Sequence, residues 1–202
     1  LAAAAEAILN HFRPELVAVW NGKTLVSRIL AVLAKRAGAA VFYLERGLLP
    51  DSLVIDPKGV NADSYLCTEA WQEIAAAPLS DEALAETRRY LEEMTLTGRS
   101  IVNQPELLSP AEVRAQLNLP PEAKSVLVPA QIDWDTNIIY HSPFFQTNAE
   151  ILQALKTALT DKEDYFVIYK PHPEEPKHTD FQALLGERGR VAVAINLHSL
   201  IA

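Results

Sequence analysis

A chain of 202 residues with 49% hydrophobic content can bury one large core or two smaller ones, at roughly 100–200 residues per domain. Its 18 basic side chains against 26 acidic ones leave a net charge of −8, which argues against nucleic acid as a partner. The single cysteine, Cys67, excludes an intrachain disulfide and a cysteine-only metal cluster and points to a reducing, cytoplasmic setting, while no apolar run approaches the ~20 residues that span a bilayer.

The sequence opens on an alanine run with neither an initiator methionine nor a signal-peptide pattern, and stops just after Ile195-Asn196-Leu197-His198-Ser199-Leu200, where a helix starts, so it reads as a fragment of a longer protein. Leu16–Trp20 is an apolar run without alternation, as expected for a strand buried on both faces. Asn21-Gly22-Lys23 is a turn; Gly22-Lys23-Thr24 is not a phosphate loop, because the glycine that pattern needs is replaced by Val17. Leu25, Val26, Ile29, Leu30 and Leu33 recur at helical spacing, and a second strand at 40–44 runs into Glu45-Arg46-Gly47. Alternating strands and helices predict a parallel sheet, with polar turns at the carboxyl ends of strands, where such sheets bind ligands. Glu45 can serve proton transfer there, or sit as a surface carboxylate beside Arg46. Asp56-Pro57-Lys58-Gly59-Val60-Asn61 is a turn by composition, with Asn61 as a weaker acceptor-side candidate.

The charged segment 80–94 predicts a solvated connecting helix. Ser109-Pro110-Ala111-Glu112 is a capping box that starts a helix ending near Leu119, and Pro120-Pro121 then marks a domain boundary, giving domains 1–121 and 122–202. The second series opens with a strand at 125–129 and a polar loop through Gln146 that carries Gln131, Asp133, Trp134, Asp135 and His141. Its two carboxylates can divide nucleophile and base roles, or simply cap and solvate the loop. His141 is a weaker loop ligand candidate. Thr147-Asn148-Ala149-Glu150 caps the next helix, and the strand at 165–169 ends on Lys170-Pro171-His172-Pro173. Two prolines fix the backbone around His172, which can donate to a phosphate oxygen while Lys170 adds positive charge; Glu174-Glu175 reads as a solvated pair. A helix around 181–185 and a strand near 191–195 follow. His172, His178 and Asp180 are too loosely spaced for a metal site, and no metal or other cofactor is implied.

Together, FYLERGLLPDSLVIDPKGVN, VLVPAQIDWDTNIIYHSPF and VIYKPHPEE, in this order, resemble the bacterial capsule-polysaccharide biosynthesis family, which includes retaining Kdo transferases that use CMP-activated Kdo. The resemblance implies an α/β fold of GT-B type: Rossmann-like parallel sheets with flanking helices, an acceptor-side first domain, and the opening of a nucleotide-sugar-binding second domain that is truncated here. It implies a glycosyltransferase of capsule or surface polysaccharide, moving a sugar such as Kdo from a CMP-activated donor to a glycan or glycolipid acceptor. A fragment of this extent is expected to be inactive alone. Asp135 would be the nucleophile, with Asp133 as rival, and Glu45 the proton-transfer group at the acceptor. His172, Lys170 and Pro173 would hold the departing phosphate while Gln131 orients the site. Peripheral association of the parent protein with the inner membrane is compatible with this reading. The alternatives are a CDP-polyol phosphotransferase of teichoic-acid type, which needs no carboxylate nucleophile, and a noncatalytic assembly domain of the same fold.

Overall fold

The run Leu16–Trp20 forms strand β1 and pairs in parallel with β2 (Ala40–Arg46), Leu16 lying opposite Ala40. In this computed structural model, which describes residues 1–47, 49–175 and 180–201, the chain divides into two compact units, Leu1–Ala85 and Glu86–Ala202. His178, weighed above as a metal ligand, lies outside the described residues.

In the first unit, helix α1 (Ala2–Phe12), helix α2 (Leu25–Arg36) and the sheet share a core of Leu9, Val19, Ala31, Ala34, Ala39 and Val41. Burying a valine such as Val19 contributes about 1.5–3 kcal/mol. The buried stripe of α2 differs from the one its leucines suggest. Ala31 and Ala34 face inward, where small side chains allow close approach, while Leu25 and Val26 lie in solvent. Strand β1 is not buried on both faces either: Val19 is inside, but Leu16 and Trp20 are 54% and 53% exposed, because the helices cover one face and β1 ends the three-strand order β1-β2-β3. The sheet is also not wholly parallel. After Gly47, whose amide donates to the Ser52 carbonyl at 2.9 Å, the chain turns back as β3 (Leu53–Asp56) and pairs antiparallel with β2. Helix α3 (Ala70–Ala76) follows, and α4 (Asp81–Thr97) crosses from one unit to the next with no buried side chain.

The second unit carries a fully parallel sheet of β4 (Lys124–Pro129), β5 (Tyr165–Lys170) and β6 (Gly189–Val191) in that order. Here the central strand is covered on both faces. Val167 and Tyr169 pack with Leu152 of α7 (Asn148–Ala158) and Leu185 of α8 (Phe181–Leu185), while Ile168 packs with Val113 of α5 (Pro110–Gln116), Leu117 and Ile195. Because α5 packs on this sheet, the units divide inside α4, and Pro120-Pro121 is a turn within the second unit. Arg114 pins that turn by donating to the Pro120 and Pro121 carbonyls at 2.5 and 2.7 Å. The loop after β4 contains a helix the sequence did not suggest, α6 (Thr136–His141), and β6 ends at Val191, the first residue of the predicted 191–195 strand. The chain then enters α9 (Leu197–Ile201). Among the described residues no helix is long and apolar enough to cross a membrane.

Candidate functional site

At the carboxyl end of β5, the second unit opens a cavity of about 610 Å³ lined by the Lys170-Pro171-His172-Pro173 turn, by Glu175, and by Phe181 and Gln182 at the start of α8. The same cavity is walled by Asn103, Gln104 and Pro105. Lys170 donates from Nζ to the Val193 carbonyl at 2.8 Å, and burial pushes its ammonium pKa down. The Nδ1 of His172 accepts the Glu174 amide at 3.1 Å, so a neutral imidazole carries its proton on Nε2. The two prolines and this bond fix the ring, leaving Nε2–H as the donor for an anionic oxygen.

Glu175 is not the solvated carboxylate its Glu-Glu context suggests; Glu174 is exposed, but Glu175 is partly buried. The fully buried Tyr169 donates its hydroxyl to the two oxygens of Glu175 at 2.6 and 2.8 Å. Burial pushes the Tyr169 phenol far above its ordinary value, reinforced by the Glu175 hydrogen bond and by the charges of Glu175 and Asp133. Asp180, also on the cavity, caps α8 by accepting the Ala183 amide at 3.0 Å.

Asn148, 3% exposed, ties the loop after β4 to this turn. Its Nδ2 donates to the Gln131 carbonyl at 2.6 Å and Asp133 Oδ1 at 2.8 Å, with a longer approach to Glu175 Oε1 at 3.3 Å. The Asn148 amide donates to the same Asp133 oxygen at 2.8 Å, and its Oδ1 accepts the Gln131 amide at 3.2 Å. Asp135 follows as the N-cap of α6, accepting the Asn137 amide at 2.7 Å.

Lys170, His172 and Pro173 therefore line one cavity, and the backbone of Gln131 and the carboxylate of Asp133 connect to it through Asn148 and Glu175. Neither Asp133 nor Asp135 lines the cavity itself, and His141 is exposed in the last turn of α6.

Glu45 and Asn61 belong to the first unit. Glu45 accepts from Asn21 Nδ2 and, at 2.9 Å, from the Arg46 amide rather than the Arg46 guanidinium. The Asn21-Gly22 turn that presents Asn21 has positive φ at both residues, 60° and 75°, and a Cβ on Gly22 would fall 2.5 Å from the Tyr43 ring. Exposed Asn61, with φ of 54°, opens a short 3-10 turn after Asp56. Asp56 is 4% exposed and accepts from the Lys58 and Gly59 amides, Ser64 Oγ and the Tyr65 amide at 2.7–3.1 Å. Burial alone would push its carboxyl up, but these four donors outweigh it and hold the pKa below the usual carboxylate range.

Sequence reasoning missed Asn148, Glu175 and the segment around Gln104. Only Asn148 left a signal, a polar residue of poor helix propensity at the first position of a well-capped helix.

A family profile described as capsule polysaccharide biosynthesis protein matches residues 85–185, half of the chain. No curated protein matches the chain. Among solved structures, the chain is similar to two from Thermosulfurimonas dismutans. One is a KpsC beta Kdo 2,4 transferase, at a TM-score of 0.63 and 17% identity over 93% of this chain and 60% of that one. The other is a KpsC beta Kdo 2,7 transferase, at 0.52 and 23% over 84% and 50%. The chain thus spans half to three fifths of their lengths, and the likeness gives the fold, Rossmann-like α/β of the GT-B type.

Proposed function

Because the chain belongs to the capsule polysaccharide biosynthesis family, we propose that it contains the nucleotide-holding part of a glycosyltransferase that moves a sugar from a CMP-activated donor to a surface glycan or glycolipid. The observation that carries this reading is that Lys170 and His172 line one cavity at a strand's carboxyl end, with the His172 proton directed to Nε2. A phosphate placed there receives a charge-assisted bond from the ammonium and a hydrogen bond from the imidazole, which stabilises the nucleotide as it leaves. Kdo is our choice of sugar, supported by the two transferases of similar fold.

In this reading an aspartate oxygen attacks the anomeric carbon as the bond from that carbon to the phosphate oxygen breaks. CMP departs with the electron pair. An acceptor hydroxyl then displaces the aspartate, losing its proton to a general base and retaining the original stereochemistry. Asp133 spends one oxygen on two bonds from Asn148, whereas among the described residues the Asp135 carboxylate accepts from the Asn137 amide alone, which favours Asp135 as the nucleophile. Glu45 is assigned to the acceptor proton on its acidic-x-glycine motif alone.

Calorimetric titration of the chain with CMP, CDP and UDP tests the nucleotide reading. We expect CMP to bind, and Lys170→Ala and His172→Ala each to weaken it by roughly tenfold, the loss of one hydrogen bond to a charged group. Absence of binding by all three nucleotides overturns it. In the complete protein, Asp135→Ala should abolish CMP release from CMP-Kdo; normal turnover by a folded variant would remove Asp135 as the nucleophile.

A further inference from the structure

The wall of the cavity facing away from the sheet's own turns comes from an irregular segment between α4 and α5 that nothing in the local sequence marks as functional. Gly98, at φ of 62°, ends α4 against Asn196, and a Cβ there would lie 2.9 Å from the Asn196 Nδ2. The segment is then strapped to the start of α9. Asn196 Nδ2 donates to the Pro105 carbonyl at 2.8 Å, the Leu108 amide donates to Ser199 Oγ at 2.8 Å, and His198 Nε2 meets the Arg99 carbonyl at 3.1 Å. Asn196 and Ser199 are 2% and 4% exposed, so these straps are anchored in the interior. A segment without secondary structure is thereby held against the cavity, and it presents two carboxamides there, Asn103 and Gln104.

Gln104 is oriented by its own bond. Its Oε1 accepts the Leu197 amide at 3.3 Å, and its Nε2 donates to none of the described residues. The cavity is also larger than a phosphate requires, at about 610 Å³, within the 300–1,000 Å³ typical of small-ligand sites. Its other surfaces are apolar, from Pro171, Phe181, Val191 and Val193, or carboxylates suited to hydroxyl donors, Glu175 and Asp180; the third carboxamide there, Gln182, already donates from Nε2 to the Gly186 and Gly189 carbonyls at 3.2 and 3.1 Å.

Resting on the reading of Lys170 and His172 as the phosphate-holding pair, we infer that Asn103 and Gln104 read the base of the nucleotide, with the Gln104 Nε2 donors selecting cytosine over uracil. Cytosine offers adjacent acceptors at O2 and N3, which match a carboxamide N–H; uracil carries a proton on N3 and meets the same donor with a donor. A site built on hydrogen bonds discriminates because the wrong base leaves polar groups unpaired.

The test titrates the whole chain with CMP, UMP and ribose 5-phosphate, which keeps the phosphate and pentose and lacks the base. Gln104→Glu preserves an oxygen for the Leu197 amide while removing the donors, Gln104→Met removes the donors without adding a charge near the phosphate, and Asn103→Ala leaves the straps untouched. The wild type should bind CMP roughly tenfold tighter than UMP. Each variant should lose about five- to tenfold in CMP affinity, with the preference for CMP over UMP gone in both Gln104 variants and ribose 5-phosphate binding unchanged in the uncharged Gln104→Met and Asn103→Ala. Unchanged CMP affinity in all three variants overturns the inference, as does a parallel loss of ribose 5-phosphate in Gln104→Met and Asn103→Ala, which would mean that the wall had collapsed. If Lys170→Ala and His172→Ala leave CMP and ribose 5-phosphate binding as they were, the phosphate reading falls with it; if they weaken both ligands while the amide variants change nothing, only the base-reading role is lost.

Discussion

Tyr169 stands at the end of the buried run of β5 and gives one hydroxyl proton to a carboxylate with two oxygens in reach. Ionising it would put a phenolate beside Glu175 in a dry site, which is why its pKa is pushed up from the ordinary value of 10.0. The sign of the pH effect follows. A phenol whose folded pKa exceeds the unfolded one stabilises the fold fully below about pH 10, and that contribution is lost as pH rises further, because the unfolded chain releases the proton first. The urea midpoint of the wild type should therefore fall between about pH 9 and 11 by more than that of Tyr169→Phe. Phenolate absorbance in the native state at about pH 11 should be the same in both proteins, since Tyr169 does not ionise there. A native Tyr169→Phe variant with one phenolate fewer would show that Tyr169 titrates normally.

Elements whose signals are local were legible, and those made by distant contacts were not. The capping boxes of α5 and α7 formed as read: Ser109 and Glu112 exchange bonds at the first, Thr147 and Glu150 at the second. The parallel strands β4 and β5 follow from apolar runs closed by turn residues. Strand β3 has four residues, two of them exposed apolar side chains, and nothing local tells an antiparallel return from a loop. The same distinction divides the site. The His172 turn announces itself through two prolines, whereas Asn148 reaches Gln131 and Glu175 across 17 and 27 positions, and Gln104 reaches Leu197 across 93. At α7 the two kinds of residue are neighbours, so their energies can be compared. Thr147→Ala removes one cap and should cost about 1 kcal/mol. Asn148→Ala removes the buried carboxamide that holds the part-buried Gln131 carbonyl and Asp133 carboxylate and should cost more, about 2–4 kcal/mol. Chemical denaturation of both variants checks the order; equal losses would mean that Asn148 acts only as part of the helix start.

At the scale of the whole molecule, two units each complete a core around their own sheet, and the proposed nucleotide cavity is lined wholly by residues of the second. The chain passes between them in α4, whose 17 residues include no buried side chain. A helix without a buried face draws little stability from packing, so it opens locally at a small fraction of the cost of opening either core. Arg88 and Arg89 are exposed at its middle. Arg114, Arg188 and Arg190, by contrast, are tied to backbone carbonyls in the second unit, and Lys170 is partly buried. Protease attack follows the population of locally open backbone. Brief trypsin treatment of the native protein should therefore cut first after Arg88 or Arg89 and leave two fragments of about 10 and 12 kDa, identified by mass. Early cleavage inside 110–175 instead would mean that the second unit opens more readily than α4.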